Sequence, residues 1–216
     1  MALDRSGRVS SAQRARFCKN HVNLLSDPEY HFSRTFIIGF LSFDMNEPTL
    51  RIEYGNESDL DLLRPLWLCL HHHHQSIAPA LAPYAGDDAS WQTRRLFYCD
   101  CLLHKGSFVL LAYSGEELIG YALALVQPTS SMWSDTWVVG DRTAELETIV
   151  VAPKWRGRGV ASLLMDRVEA ELEKLGIKDV IIGALPTNSD VLDLYRRRGF
   201  ESTWLVMTRF AARTRR

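Results

Sequence analysis

The chain has 216 residues, of which 46% are hydrophobic and 24% are charged, a composition typical of a folded globular protein. Its 25 basic and 26 acidic residues nearly cancel, which argues against the broad positive field of a nucleic-acid-binding protein. No apolar run approaches the roughly 20 residues that a membrane-spanning helix needs. The 4 cysteines are too few for a disulfide framework and lack zinc-site spacing, so free thiols in a reducing cytoplasm are expected.

The first part of the chain differs from the rest. Residues 1–20 are rich in Arg and Ser and show no clear apolar period. We expect residues 1–48 to be a flexible or loosely docked extension, and we favour this over a transit peptide of similar composition. Within the extension, Thr35–Phe43 is a candidate strand or docked apolar segment, and Met45 is an internal methionine just before the regular pattern. A single domain is expected over residues 49–212.

From residue 50 onward, the hydrophobic pattern changes between the two-residue period of strands and the 3.6-residue period of helices. Pro65 interrupts the first helical pattern, so that helix is expected to begin late or to kink. Gly176 and Gly199 follow the last two helical patterns, as C-terminal caps do. The expected elements are a strand at 50–54, a helix at 58–75, a helix ending near Gly106, a hairpin of strands at 108–113 and 118–126, a loop at 127–140, a strand at 145–151, a helix at 158–175, a buried strand at 179–185, a helix at 189–198 and a strand at 202–210.

This order of elements predicts an α/β fold with a mixed sheet and flanking helices. The helix at 158–175 is strongly amphipathic, because its leucines and valine recur every three or four residues. Its buried stripe is expected to consist of Leu163, Leu164, Val168, Leu172 and Leu175.

The segment from Val151 to Ala161 is a candidate anion site. Gly157 and Gly159 allow the backbone to turn tightly with its N–H groups pointing inward, and the start of the next helix adds the positive end of its dipole. Together these suit a pyrophosphate, although a glycine-rich helix entrance without a ligand is the alternative. The glycine spacing excludes a P-loop and a dinucleotide fingerprint. Three cations add charge to the loop: Lys154, Arg156 and Arg158.

Two motifs of the chain resemble those of the GNAT acyltransferase family. The stretch from Arg156 to Ala161 is similar to the R/Q-x-x-G-x-G/A signature. The stretch from Asn188 to Phe200 is similar to the N-x-x-x-x-x-x-Y-x-x-x-G-F motif, with Val191 where the family commonly has alanine. The resemblance covers about residues 50–210. It implies an acyl-CoA N-acyltransferase fold, in which the central sheet is mostly antiparallel and its fourth and fifth strands splay apart.

The same resemblance implies acetyl-CoA as the co-substrate, with its pantetheine arm on the fourth strand and its pyrophosphate on the loop amides. The cofactor-binding residues that it implies are Ile149, Val150, Val151, Arg156, Gly157, Arg158, Gly159, Val160, Ala161, Ser162 and Asn188. Asn188 would hydrogen-bond the arm, and it is also a candidate cap for the helix that follows. No metal is expected.

Tyr195 matches the position where the family commonly has its general acid. Acetyl transfer to an amine requires a proton for the departing thiolate. A phenol has a pKa of about 10, so Tyr195 is protonated at pH 7 and can supply that proton. A packed core aromatic is the alternative, because leucines flank it.

Glu145 and Glu147 are the candidates for taking a proton from the amine or for binding a cationic substrate. They are two residues apart on a predicted strand, so we expect them to face the same side as Ile149 and Val151. Acids inside a strand are costly unless they are solvated, paired or used. The alternative is a salt bridge, for example with Arg142 or Lys178.

The run from His71 to His74 does not predict a metal site. Consecutive helical residues point about 100° apart, so four of them cannot share one ion. His71 and His74 could, but no further ligand supports them. The family's first helix commonly lines the acceptor site, so one of these side chains is a candidate substrate contact, although partly exposed helix residues are favoured. Trp133 and Trp137 are candidate walls of an acceptor pocket.

Two functions of different class remain. The first is an acetyl-CoA-dependent N-acetyltransferase with a primary amine as acceptor, attacked directly. A small molecule is favoured over a peptide or protein. The second is a catalytically silent acyl-CoA-binding or interaction module on the same scaffold. Neither nucleic acid nor a membrane is an expected partner, and the oligomeric state stays open, a homodimer included.

Overall fold

A five-stranded sheet with helices on both faces forms residues 49–210, the part of the chain that this computed structural model describes. The first four strands pair antiparallel, and the fifth pairs parallel to the fourth, so the sheet is mixed and mostly antiparallel as expected. The extension expected at 1–48 lies outside the described residues. In sheet order, the strands are β1 (Leu50–Gly55), β2 (Phe108–Ser114), β3 (Glu117–Pro128), β4 (Arg142–Val151) and β5 (Val180–Ile182).

Within residues 49–210, five α-helical segments accompany the sheet. The first expected helix is split, because a 3₁₀ turn at Glu57–Leu63 precedes the α-helix and Pro65 lies in the helix's first turn. A proline there removes an N–H that has no helical acceptor in any case. The segments are α1 (Arg64–Ile77), α2 (Asp87–Leu102), the single turn α3 (Ser131–Ser134), α4 (Val160–Lys174) and α5 (Ser189–Arg197).

Two apolar layers lie on opposite faces of the sheet. β2 and β3 are buried on both faces, which explains their nearly continuous apolar sequences. The layer on the α4–α5 side includes Leu110, Ala122, Leu146, Leu164, Val168 and Tyr195. The layer on the α1–α2 side includes Trp67, Trp91, Tyr98, Leu111, Tyr121 and Leu123.

The buried stripe of α4 follows its four-residue spacing. Leu164, Val168 and Leu172 are buried as expected. Leu163 and Leu175, which we expected in the same stripe, are 37% and 42% exposed. Leu163 lies about 100° around the helix from Leu164, so it points away from the sheet. Leu175 follows Lys174, the last residue of α4, and is exposed at the helix end.

The last two expected strands differ from the prediction. β5 has three half-buried residues, not the seven buried residues expected at 179–185. Residues 201–210 form no strand and are exposed, although their sequence has strong β propensity. A strand needs a paired neighbour, and β5 offers an edge only three residues long, so propensity alone does not fix one here.

None of the helices within residues 49–210 is long and apolar enough to cross a membrane.

Candidate active site

A gap opens in the sheet where β4 continues beyond its short pairing with β5. The two strands pair only over residues 144–146 and 180–182. Beyond Leu146, β4 keeps β3 on one edge, and no other strand of the described range pairs with its second edge. This is the splay that the resemblance implied. It leaves the second edge of β4 beside a space that an extended ligand can occupy. The backbone groups of Ile149 and Val151 point to that edge, because Ala152 N–H donates to Ile119 O on β3 and consecutive strand residues alternate.

The glycine loop follows directly at the end of β4. Gly157 and Gly159 have φ values of 72° and 81°, a left-handed conformation that favours glycine. Gly159 is the residue that caps the start of α4. A β-carbon on either glycine would meet nothing within 4 Å, so their role is backbone shape and not tight packing. The loop thus combines open space with the first amides of α4, which have no acceptor inside the helix.

The three loop cations are partly engaged by the protein itself. Arg156 Nε donates to the backbone oxygen of Val151 at 3.2 Å, which ties the loop to the end of β4. The Arg158 guanidinium lies 5.1 Å from the centre of the Trp155 ring. Lys154 Nζ lies 2.8 Å from a carboxylate oxygen of Glu117 on β3. The loop is therefore held in place from both sides.

Arg198, at the end of α5, fixes that helix against α4. Its guanidinium donates to the backbone oxygen of Ser162 at 3.0 Å and to Asp166 at 2.6 Å, and it also pairs with Glu169. The sequence suggested no such role, because Arg198 belongs to a run of three arginines that reads as a solvated surface.

Tyr195 is buried in the layer between the sheet and α4. Its exposed fraction is 7%, and its ring centre lies 5.9 Å from that of Phe200. Burial raises the pKa of Tyr195 to about 12, so the phenol stays protonated at any working pH. Asn188 is the residue before α5, but its side chain makes no capping hydrogen bond, so the expected capping role is wrong.

A β-bulge in β4 decides which way the two candidate acids face. Leu123 of β3 pairs with Thr148, whereas the next residue, Ala124, pairs with Leu146. Glu147 is therefore an extra residue in β4. An inserted residue moves the strand's later side chains to the opposite face.

The expectation that both acids share a side with Ile149 and Val151 is therefore wrong. Glu147 faces α2, where it accepts a hydrogen bond from Arg94. Glu145 is directly opposite Leu125, a residue of the α1–α2 layer. Ile149 and Val151 pack in the layer on the α4 side. The bulge thus places the acids on one face and the strand's exit to the glycine loop on the other.

The two acids have different surroundings. Arg94 Nη1 donates to Glu147 Oε2 at 3.2 Å, so a salt bridge exists, but with neither Arg142 nor Lys178 as suggested. Glu145 is half-buried, and burial together with the negative charge of Glu147 raises its pKa above 4.5. Among the described residues, Glu145 is the one of the two acids without a cationic partner.

A buried chain of hydroxyls holds the bulge against α2. Tyr98 donates to Thr148 Oγ1 at 2.6 Å, and its oxygen lies 3.0 Å from that of Tyr121. The three residues are at most 3% exposed. Sequence reasoning missed both this chain and Arg94. A signal existed for Arg94, because it is three residues after Trp91 and four before Tyr98, which places it on the buried face of α2.

The histidine run has mixed roles. His71 is buried, and its Nε2 lies 2.9 Å from the backbone oxygen of Ala85, which ties α1 to the segment before α2. His72 pairs with Asp87 at the surface. Burial and neighbouring positive charges lower the pKa of His74, which is therefore neutral at pH 7. Within residues 49–210, no three His, Cys, Asp or Glu side chains are grouped as metal ligands.

A cleft of about 460 Å³ lies beside β5. Trp133 and Trp137 form part of its wall, with ring centres 5.7 Å apart, so these residues do shape a cavity. Thr143 and Ile181 also line it, and they neighbour Glu145 along and across the sheet. Its use by an acceptor stays a prediction.

The sequence profile of the acetyltransferase (GNAT) family matches residues 67–200, which is more than half of the chain. The chain belongs to this family. It is accordingly an N-acetyltransferase by family, and the matched range includes α2, the bulge, the glycine loop and Tyr195. No curated protein sequence matches the chain.

Solved structures of GNAT enzymes share the fold at low sequence identity. Aminoglycoside N-acetyltransferase AAC(6')-Iy in complex with CoA is 20% identical, with a TM-score of 0.55 over 79% of this chain and 99% of that chain. The same enzyme with the bisubstrate analog CoA-S-monomethyl-acetylneamine is 23% identical, with a TM-score of 0.54 over 77% and 99%. The ribosomal-protein-alanine N-acetyltransferase from Brucella melitensis biovar Abortus 2308 is 18% identical, with a TM-score of 0.53 over 76% and 100%.

Proposed function

We propose that this chain transfers the acetyl group of acetyl-CoA to a primary amine by direct attack within a ternary complex. The observation that carries the proposal is the separation of β4 from β5 beyond Leu146, next to the glycine loop that begins α4. A pantetheine arm can pair with the free edge of β4, and a pyrophosphate can accept hydrogen bonds from the first amides of α4. The CoA complex of the aminoglycoside enzyme supports this choice of co-substrate.

The proposed cofactor-binding residues are those of the free edge and the loop. Asn188 belongs with them, because its side chain is not used as a helix cap. The full set is Ile149, Val150, Val151, Arg156, Gly157, Arg158, Gly159, Val160, Ala161, Ser162 and Asn188.

The proposed chemistry uses one group from each face of the sheet. The amine nitrogen attacks the thioester carbonyl carbon, the new C–N bond forms, and the C–S bond breaks. Tyr195 donates its proton to the departing sulfur, and its raised pKa keeps that proton available. Glu145 takes the proton that the amine loses, because Glu147 is paired with Arg94. In this proposal, the reacting carbon lies at the gap between β4 and β5 and is approached by one group from each layer.

We propose a small amine as the acceptor. The similar solved structures do not distinguish between small and protein acceptors. One is named for aminoglycosides and another for a ribosomal-protein alanine, and both are at identities that show the fold alone. The support is the recessed position of the acids: Glu147 is 18% exposed, and Glu145 is half-buried beside α2. A slender unbranched amine reaches such a position with less rearrangement than a folded protein surface does.

Thiol release from acetyl-CoA tests the proposal. The protein is mixed with acetyl-CoA and each of a panel of small amines and short peptides, and free thiol is measured. We expect amine-dependent release with at least one small amine. A raised melting temperature with acetyl-CoA but no release with any acceptor would favour the silent acyl-CoA-binding module. No thermal shift at millimolar acetyl-CoA would reject the cofactor site itself.

A further inference from the structure

The two acids of β4 differ in whether a cation neutralises them. Arg94 of α2 pairs with Glu147 at 3.2 Å. Among residues 49–210, no Lys, Arg or His forms an ion pair with Glu145, and the shift in its pKa has no cationic contribution. Glu145 is therefore the carboxylate without a cationic partner. We call the side of β4 that carries Glu145 and Glu147, together with Arg94, the acid wall.

Arg94 is fixed in place by aromatic rings. Its guanidinium lies 4.2 Å from the ring centre of Trp67 on α1, and 5.4 Å and 5.5 Å from those of Phe97 and Tyr98 on α2. The side chain is 26% exposed and its partner Glu147 is 18% exposed. Stacking of this kind adds to the ion pair and limits the rotamers of the arginine. The aromatic rings therefore hold this ion pair in a defined geometry, unlike a pair of exposed side chains.

The charges that face the two acids can be summed. From α2, Arg94 is positive, while the buried thiol of Cys101, whose pKa burial raises to about 12, and the phenol of Tyr98 are neutral. From α1, His74 is neutral at pH 7 because its pKa is lowered. On the neighbouring strands, the residues opposite Glu145 are the apolar Leu125 and Ile181. Two carboxylates and one guanidinium leave a net charge of −1.

We propose that Arg94 is a specificity-determining residue, which cancels Glu147 so that this wall of the acceptor site favours amines with one cationic centre over diamines and polycations. This rests on the proposed amine acetylation. The positive guanidinium of Arg94 repels a second ammonium group close to the reacting amine. Without Arg94, the two carboxylates would instead attract that ammonium group. The expected acceptor is therefore a monoamine, unlike the polycationic substrates that a site with several free acids attracts.

The test compares a monoamine and a diamine of equal chain length, with kcat/KM measured for each. Wild type should favour the monoamine. Arg94→Met keeps an apolar stem under the aromatic rings and removes the charge, so the ratio should move toward the diamine by about tenfold or more. Arg94→Lys should largely restore the wild-type ratio. Arg95→Met is the matched control, because Arg95 points about 100° around α2 from Arg94 and pairs with Asp61, so the ratio should stay unchanged.

Glu147→Gln should change the monoamine-to-diamine ratio in the opposite direction. It leaves Arg94 unpaired and reduces the net charge of the wall to zero, so the ratio should move further toward the monoamine. If the pair is merely structural, both variants should shift the monoamine-to-diamine ratio in the same direction, and that result would overturn the inference. An unchanged ratio in Arg94→Met would overturn it as well. If Arg94→Met does not fold, Glu147→Gln decides alone. Failure of wild type to acetylate any amine would instead reject the proposed function, and this inference with it.

Discussion

Tyr195 has both a packed ring and a hydroxyl with a raised pKa. Removal of the hydroxyl alone therefore distinguishes a general acid from a packed core aromatic. Tyr195→Phe keeps the ring against Phe200 and removes only the proton donor. We expect kcat to fall by about 10²–10⁴-fold, the usual contribution of general acid catalysis, with little change in acetyl-CoA binding. The melting temperature and kcat should be measured on one preparation. Wild-type kcat in the variant would remove Tyr195 from the mechanism.

Glu145 should set the acidic limb of the pH–rate profile. A raised pKa means that the carboxyl stays protonated to a higher pH than an ordinary glutamate, so the base is lost earlier as the pH falls. Glu147→Gln removes the negative charge that contributes to this shift, and the limb of kcat/KM should then move to lower pH. With a single acceptor, the amine's own titration stays constant between variants. A limb that persists unchanged in Glu145→Gln would show that another group titrates.

At the scale of elements, the two ends of α4 offer a matched pair of glycines. Gly159 and Gly176 both have positive φ values, 81° and 70°, and a β-carbon on either meets nothing within 4 Å. Gly159→Val and Gly176→Val should therefore each cost about 1–2 kcal/mol of left-handed strain. Only Gly159→Val should also abolish the rise in melting temperature with acetyl-CoA. Loss of the shift in both variants would assign it to general destabilisation.

Elements with local signals were predictable, and those that depend on partners were not. The glycine after α5 and the hairpin of β2 and β3 follow from turn and capping chemistry that the sequence carries. The bulge at Glu147 leaves a short signal, because the consecutive polar residues Glu147 and Thr148 interrupt the alternation of a regular strand. Residues 202–210 have a strand's composition but lack a long edge to pair with. Motif spacing identified the glycine loop and Tyr195 as candidates, whereas Arg94 required knowledge of which helix face is buried.

At the scale of the whole molecule, we predict that residues 1–44 are dispensable for cofactor binding. Every proposed site residue lies between Arg94 and Arg198 on elements that pack on one another. A shortened chain that begins at Met45 should bind acetyl-CoA with an affinity within a few-fold of the full chain, as measured by calorimetry. Insolubility or lost binding would show that Thr35–Phe43 belongs to the domain.

The C-terminal segment predicts self-association. Trp204–Met207 is apolar and 55–86% exposed, and the ring centre of Trp204 lies 5.6 Å from that of Trp137 in the wall of the cleft beside β5. Exposed apolar segments beside an unpaired strand are common sites of aggregation. Leu205→Lys with Met207→Lys should reduce light scattering at high protein concentration and leave the melting temperature unchanged, because these side chains are exposed. A clear fall in melting temperature would instead show that the segment contributes to the folded domain.

The free second edge of β4 beyond Leu146 also bears on the lifetime of the protein in a cell. If the pantetheine arm completes the sheet there, the co-substrate acts as a removable strand, and the folded population follows its supply. A ligand at a hundred times its dissociation constant adds about 2.7 kcal/mol to stability. A change of that size alters steady-state abundance several-fold where proteases remove unfolded chains. The abundance of this enzyme would then follow the concentration of the co-substrate that its reaction consumes.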